Sequence, residues 1–251
     1  MINIDIFIKG KFIRIFQIIC NLINSLKANK FERDLIRISY NYKFHNQSKY
    51  SLGNTLNTFN KVYKKNIEGS IVECGVWQGI NLVLFQKLIE EYSLDSCKIY
   101  GFDTFEGTPN PTKEDITKYN ELMKDEYERL KKKDNTSGWN NASMDVVKNN
   151  YHNNTINNNN LILIKGKVEN TLIDNDNIPK KISILRLDTS LYEGTKIEFE
   201  KLFPKVQKGG SVIIEGYGQY KGVKKATDEY LFSSNYKIRY NYLLGRAVIN
   251  L

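Results

Sequence analysis

The chain has 251 residues, 41% of them hydrophobic, enough to bury a substantial core as one domain plus an appendage, and its formal net charge is +9. Its cysteines, Cys20, Cys74 and Cys97, form no C-x-x-C, which excludes a disulfide framework and fits a reducing, cytoplasmic setting; the two histidines, His45 and His152, lie too far apart for a His-rich metal site. The lysines are scattered and form no basic stripe interleaved with aromatics, so nucleic acid is not an expected partner, and solubility or an anionic small substrate accounts for the charge.

The N-terminal stretch is apolar but interrupted. Lys9, Lys11, Arg14 and Lys27 break it up, and the longest uncharged run, Ile15 to Leu26, is too short to span a bilayer. No small-residue cleavage site follows, so a secretory signal is not expected. The pattern predicts an amphipathic helix that packs on the domain or on a second subunit; anchorage on a membrane surface is the alternative. Residues 1–66 are expected to form a helical cap or dimerisation segment, and residues 67–251 the main domain.

That domain is organised around Ile71-Val72-Glu73-Cys74-Gly75-Val76-Trp77-Gln78-Gly79. A short apolar run meets a glycine-containing turn, and an apolar-periodic stretch to Tyr92 follows. This is strand, turn and helix, with the helix N-terminus aimed at whatever lies on the turn. A second strand, 98–102, ends at Asp103, the position where doubly wound folds receive a ribose diol. The turn is not G-x-G-x-x-G, so an ordinary dinucleotide fold is the weaker reading. The spacing suits a nucleoside without pyrophosphate, such as S-adenosylmethionine.

A long polar stretch, 104–140, reads as a lid or specificity insertion with a helix-prone middle over 115–133. A helix is expected at about 141–151, a strand at 161–165 and a short helix at 168–173. The fourth strand, 182–188, ends at Asp188. A helix over 195–203 and a strand over 210–214 ending at Glu215 come next. A helix over 222–233 and two strands, 236–240 and 247–250, joined around Leu244-Gly245, close the chain. Strands alternating with helices predict an α/β sheet covered on both faces.

Four motifs occur in order: Glu73 to Gly79; Phe102-Asp103-Thr104-Phe105-Glu106-Gly107; Leu185-Arg186-Leu187-Asp188 with Leu191-Tyr192-Glu193; and Gly209-Gly210 through Ile214-Glu215-Gly216-Tyr217-Gly218. Together they resemble the macrocin O-methyltransferase family from about Tyr50 to Leu251. The resemblance implies a Rossmann-like class I methyltransferase sheet of seven strands whose last hairpin is antiparallel. It also implies transfer of a methyl group from S-adenosyl-L-methionine to a sugar hydroxyl, and a homodimer.

Carried onto this sequence, the resemblance assigns the cofactor to Glu73, Gly75, Val76, Trp77 and Gly79, with the ribose on Asp103 and Thr104 and Phe105 lining the pocket. Ser143 would stand on the adenine side; a plain helix N-cap is the competing reading. Asp188 and Glu215 would act on the acceptor hydroxyl and hold a divalent ion, usually Mg2+. Gly216 stands where the family has a second adjacent acid. Tyr192 and Tyr217 are candidates for stacking on the substrate. The basic charge favours a nucleotide-linked or phosphorylated sugar destined for a surface polysaccharide such as a capsule. The alternatives are a lipid-linked glycan, an antibiotic-type glycoside, or a catalytically inactive scaffold that binds S-adenosylmethionine.

Overall fold

Short apolar runs bounded by glycine or acidic residues become the strands of one sheet, and the 3.6-periodic stretches between them become its covering helices. A computed structural model describes residues 49–132, 137–232, 234–241 and 246–251. The chain divides into two compact units, Met1–Asn57 and Thr58–Leu251. The division falls inside α1 (Lys49–Tyr63), ahead of the expected boundary at 66/67. The helix expected over residues 1–30 and the turn at Leu244-Gly245 lie outside the described residues.

The second unit runs β1 (Ser70–Cys74), α2 (Ile80–Glu91), β2 (Ile99–Asp103), α3 (Met123–Leu130), α4 (Met144–His152), β3 (Leu161–Lys165), α5 (Val168–Thr171), β4 (Ile182–Leu187), α6 (Tyr192–Lys201), β5 (Val206–Ile214), α7 (Lys221–Leu231), β6 (Ile238–Asn241) and β7 (Arg246–Asn250). The sheet order is β3-β2-β1-β4-β5-β7-β6. The first five strands are parallel, and β7 runs antiparallel to both neighbours, as the expected closing hairpin requires. No helix among the described residues is long and apolar enough to cross a membrane.

Alternation along each strand sorts the side chains to two faces. Val72, Cys74, Leu185, Leu187, Val212 and Ile214 pack with Phe199, Leu202 and Phe203 in one buried cluster. On α2, Leu82, Phe85, Leu88 and Ile89 are almost fully buried. Phe59 and Tyr63 of α1 stack with Tyr92 at the end of α2, the Tyr63–Tyr92 rings lying 4.2 Å apart.

Two segments depart most from expectation. β5 starts at Val206, not at Gly210, because Val206 pairs with Ile182 before a register irregularity lets Ser211 pair with Ile184. The lid forms its helix only from Met123. Before it, Asp115 turns the chain instead: its carboxylate accepts the N–H and the hydroxyl hydrogen of Thr112. The lid is then stitched to the loop after β5. Lys118 N–H donates to Gln219 O and Lys221 N–H donates to Ile116 O, both at 2.7 Å.

One buried group sits awkwardly in this core. Glu198 on α6 is fully buried, and neither carboxyl oxygen has a hydrogen bond of good geometry among the described residues. Burial, with Glu169 and Asp188 adding their charges, pushes its pKa well above the ordinary value of 4.5. The folded state therefore keeps a proton that the unfolded chain releases. That contribution is fully present below the unfolded pKa and is lost as pH rises toward the folded one. Glu198→Gln removes the titration. Thermal melts from about pH 5 to about pH 9 should show the variant gaining on the parent as pH rises; a constant difference across that range would contradict this.

Candidate active site

The carboxyl ends of β1, β2, β4 and β5 bring the motifs together. β1 is the switch point: β2 lies on one side of it and β4 on the other, the crevice where open α/β sheets bind ligands. Gly75 leaves β1 at a φ of +81°, in the left-handed region. A Cβ there would meet the carbonyl oxygen of Asp188 at 2.3 Å. The turn after β1 and the acid after β4 thus touch backbone to backbone, and Asp188 N–H donates to Cys74 O at 2.8 Å. Gly79 caps α2 without a side-chain hydrogen bond.

Asp103 ties this turn down. Its Oδ2 accepts the N–H groups of Val76 and Trp77 at 2.7 and 2.9 Å, and its Oδ1 accepts Phe105 N–H at 2.8 Å. Thr104 donates its hydroxyl hydrogen to Gly107 O at 2.7 Å. Phe105 is buried, and both Trp77 and Phe105 sit at positive φ. The backbone of 75–79 and the partly exposed Asp103 carboxylate together form a cradle at the carboxyl ends of β1 and β2. Ser143 caps α4 by accepting Val146 N–H at 3.3 Å and is exposed.

Beneath the cradle runs a row of charges. Glu73 pairs in register with Arg186 across β1 and β4. Arg186 is 1% exposed and donates to Glu73 Oε1 at 2.5 Å and to Glu215 Oε1 at 2.9 Å. The same Nη2 is 2.9 Å from Asp188 Oδ2. One step beyond the Ile214↔Ala247 pair of the antiparallel register, Arg246 also donates to Glu215 Oε1. Acid and base therefore alternate across four adjacent strands.

Glu73 is fully buried; its Oε1 accepts from Asn81 as well as from Arg186, and its Oε2 has no hydrogen-bond partner among the described residues. Burial pushes its pKa up to about 8, against the pull of Arg186. Burial works against the charge on Arg186, but Asp188, Glu215 and Glu73 outweigh it and raise its pKa. For Glu215 burial is outweighed by Arg246 and Arg186, and its pKa is lowered. Asp188 keeps a 24% exposed side chain, and its pKa is pushed to about 7 by burial, against Arg186 and with Glu215 adding.

The two candidate substrate tyrosines face α7. Tyr192 donates its hydroxyl hydrogen to Glu229 at 2.7 Å and Tyr217 to Asp228 at 2.6 Å, with Lys225 and Lys224 each 5.1 Å from the respective ring. Asp115 of the lid accepts Tyr192 N–H at 2.7 Å and so fixes the start of α6. Of the cluster Lys131-Lys132-Lys133 late in the lid, Lys131 and Lys132 are exposed, and Lys133 lies outside the described residues. Arg186, Arg246, Asn81 and Asp115 were not among the residues expected to matter. The one available signal was an arginine inside the otherwise apolar Ile184-Leu185-Arg186-Leu187.

A divalent ion does not fit the acids as they stand. Shared by Asp188 and Glu215, it would lie about 2.1 Å from an oxygen of each. The place between Asp188 Oδ2 and Glu215 Oε1 is held by Arg186 Nη2. Among the described residues no group of three or more His, Cys, Asp or Glu is arranged to hold a metal.

Comparison with known proteins agrees with the fold and the family resemblance. The Macrocin-O-methyltransferase (TylF) family model matches residues 46–240. The demethyldecarbamoylnovobiocin O-methyltransferase of Streptomyces niveus is 26% identical over 173 residues, 67% of this chain and 60% of its own length. The chain thus spans less than two thirds of that relative. Among solved structures, the O-methyltransferase NovP superposes with a TM-score of 0.67 at 22% identity, covering 79% of this chain and 78% of its own. The calicheamicin methyltransferase CalS11 does so with a TM-score of 0.59 at 19% identity, covering 88% and 91%; another structure of CalS11 is described as a TDP-rhamnose 3'-O-methyltransferase. With a seven-stranded class I methyltransferase sheet and a family match over most of its length, the chain belongs to the macrocin O-methyltransferase family.

Proposed function

We propose that this chain transfers a methyl group from S-adenosylmethionine to a sugar hydroxyl. The observation that carries the reading is the backbone contact between Gly75 and Asp188, which sets a partly exposed acid against the cradle. S-adenosylmethionine, when bound, supplies a methyl group already activated on a sulfonium. The residues 75–79 and Asp103 would hold it, with Thr104, Phe105 and the Ser143 end of α4 completing the pocket. Glu73 acts from below as a positioning residue, through Arg186.

The protein's share of the chemistry is alignment and a proton. Bound S-adenosylmethionine would give its methyl group to the acceptor oxygen and leave as S-adenosylhomocysteine, and the hydroxyl proton would pass to Asp188. Arg186 orients that carboxylate, and Glu215 fixes Arg186 from the far side. A pKa near neutrality suits a general base working near pH 7.

The acceptor is a nucleotide-linked sugar in this reading. The net charge of +9 supports an anionic acceptor, and CalS11 is described as acting on TDP-rhamnose. Local charge is more even: Lys224 and Lys225 pair with Asp228 and Glu114. The product would serve a surface polysaccharide, in the cytoplasm, and the enzyme would work as a homodimer.

Isothermal titration with S-adenosylhomocysteine should show one site per chain. Asp103→Asn should weaken it roughly tenfold to a hundredfold, the loss of a charged hydrogen-bond acceptor. Absence of binding to the parent protein would remove the methyltransferase reading. Where a sugar nucleotide is turned over, kcat/KM should rise with pH through about 7, because Asp188 accepts a proton only when ionised. Asp188→Asn should lower the rate by roughly 10²–10⁴-fold and flatten the profile. A profile that stays flat in the parent would show that Asp188 is not the base.

A further inference from the structure

The row Glu73–Arg186–Glu215–Arg246 carries a consequence for the family's metal. Family resemblance implies a divalent ion on one acid after β4 and two adjacent acids after β5. Here the second adjacent acid is Gly216, and its backbone excludes a simple return of that acid. Gly216 sits at a φ of +70°, and a Cβ would meet Tyr220 Cδ2 at 2.6 Å. The acid that remains, Glu215, accepts from two guanidinium groups on the same oxygen, Oε1. Both arginines are 1% exposed.

The two arginines come from opposite sides. Arg186 rises from β4 within hydrogen-bond distance of Glu73, Asp188 and Glu215. Arg246 arrives from β7, which the sheet order inserts next to β5. A cation of two positive charges brought to Asp188 and Glu215 would face two buried guanidiniums in contact with its own ligands. Neither arginine could shed its charge in response, since a guanidinium stays protonated in proteins.

We propose that Arg246, by joining Arg186 on Glu215, takes the place of the divalent ion between Asp188 and Glu215, so that this chain holds its acceptor-side acids, and transfers its methyl group, without a metal. Arg246 is thereby a positioning residue: it fixes Glu215, which fixes Arg186, which orients Asp188. The consequence for turnover rests on the methyltransferase reading; the exclusion of metal does not.

The test is a Mn2+ titration of the full-length, EDTA-treated protein followed by electron paramagnetic resonance, with and without S-adenosylhomocysteine. The free-ion signal should keep its full amplitude into the millimolar range, and EDTA should leave any turnover within about twofold. Loss of signal equal to one Mn2+ per chain, abolished by Glu215→Gln, would overturn the proposal. So would a tenfold or greater fall in turnover with EDTA that Mg2+ restores. Arg246→Ala, folded by circular dichroism, should gain at least tenfold in Mn2+ affinity, while Arg246→Lys should not. A folded Arg246→Ala protein with unchanged affinity would show that Arg246 is not the excluding group. If that variant does not fold, the titration of the parent protein decides alone. Failure to bind S-adenosylhomocysteine would remove the activity reading and leave the metal result standing.

Discussion

The carboxyl edge of this sheet depends on one buried guanidinium. Arg186 stands on the most central strand pair and is within hydrogen-bond distance of three carboxylates at once. Burying a charge is costly unless it is paired and hydrogen-bonded. Here each acid is the remedy for the arginine and the arginine the remedy for each acid. Removing one partner of such a group costs about 3–5 kcal/mol, because what remains is buried and uncompensated. That is a large part of the roughly 5–15 kcal/mol that holds a domain folded. The row is therefore structural first, and the poised Asp188 is its outward-facing end.

The same economy of parts recurs above the row. Asp103 accepts three backbone N–H groups from two different turns, so one carboxylate holds the end of β2 against the turn after β1. Asp115 does the equivalent for the lid, joining Thr112 to the first residue of α6. Asp103, which the sequence marks as a ligand contact, therefore also organises backbone. The two roles are compatible: a partly exposed carboxylate that is already fixed in place loses little freedom when a ligand arrives.

How much of this was legible in the sequence follows from the range of the interactions. The strand, turn and helix around Gly75 could be read because apolar run, glycine and helical period are local signals. The acids ending β2, β4 and β5 could be read for the same reason. The Ser143 cap was visible as a helix start. The lid helix was overextended because Asp115 and Thr117 make turns that composition does not distinguish from helix. The burial of Glu73 was missed because it depends on Arg186, more than a hundred residues away. The Glu215–Arg246 pair was hidden further still: it exists only because β7 inserts between β5 and β6. An arginine flanked by apolar residues at a strand start gives no hint of that placement unless the hairpin is first threaded into the sheet.

The most direct measurement is a crystal structure of the chain grown with S-adenosylhomocysteine and Mg2+. The homocysteine end should lie over the backbone of 75–79 and the ribose at Asp103, with Arg186 still bridging Asp188 and Glu215 and no ion between them. A Mg2+ ion bound by Asp188 and Glu215, with Arg186 or Arg246 displaced, would contradict this.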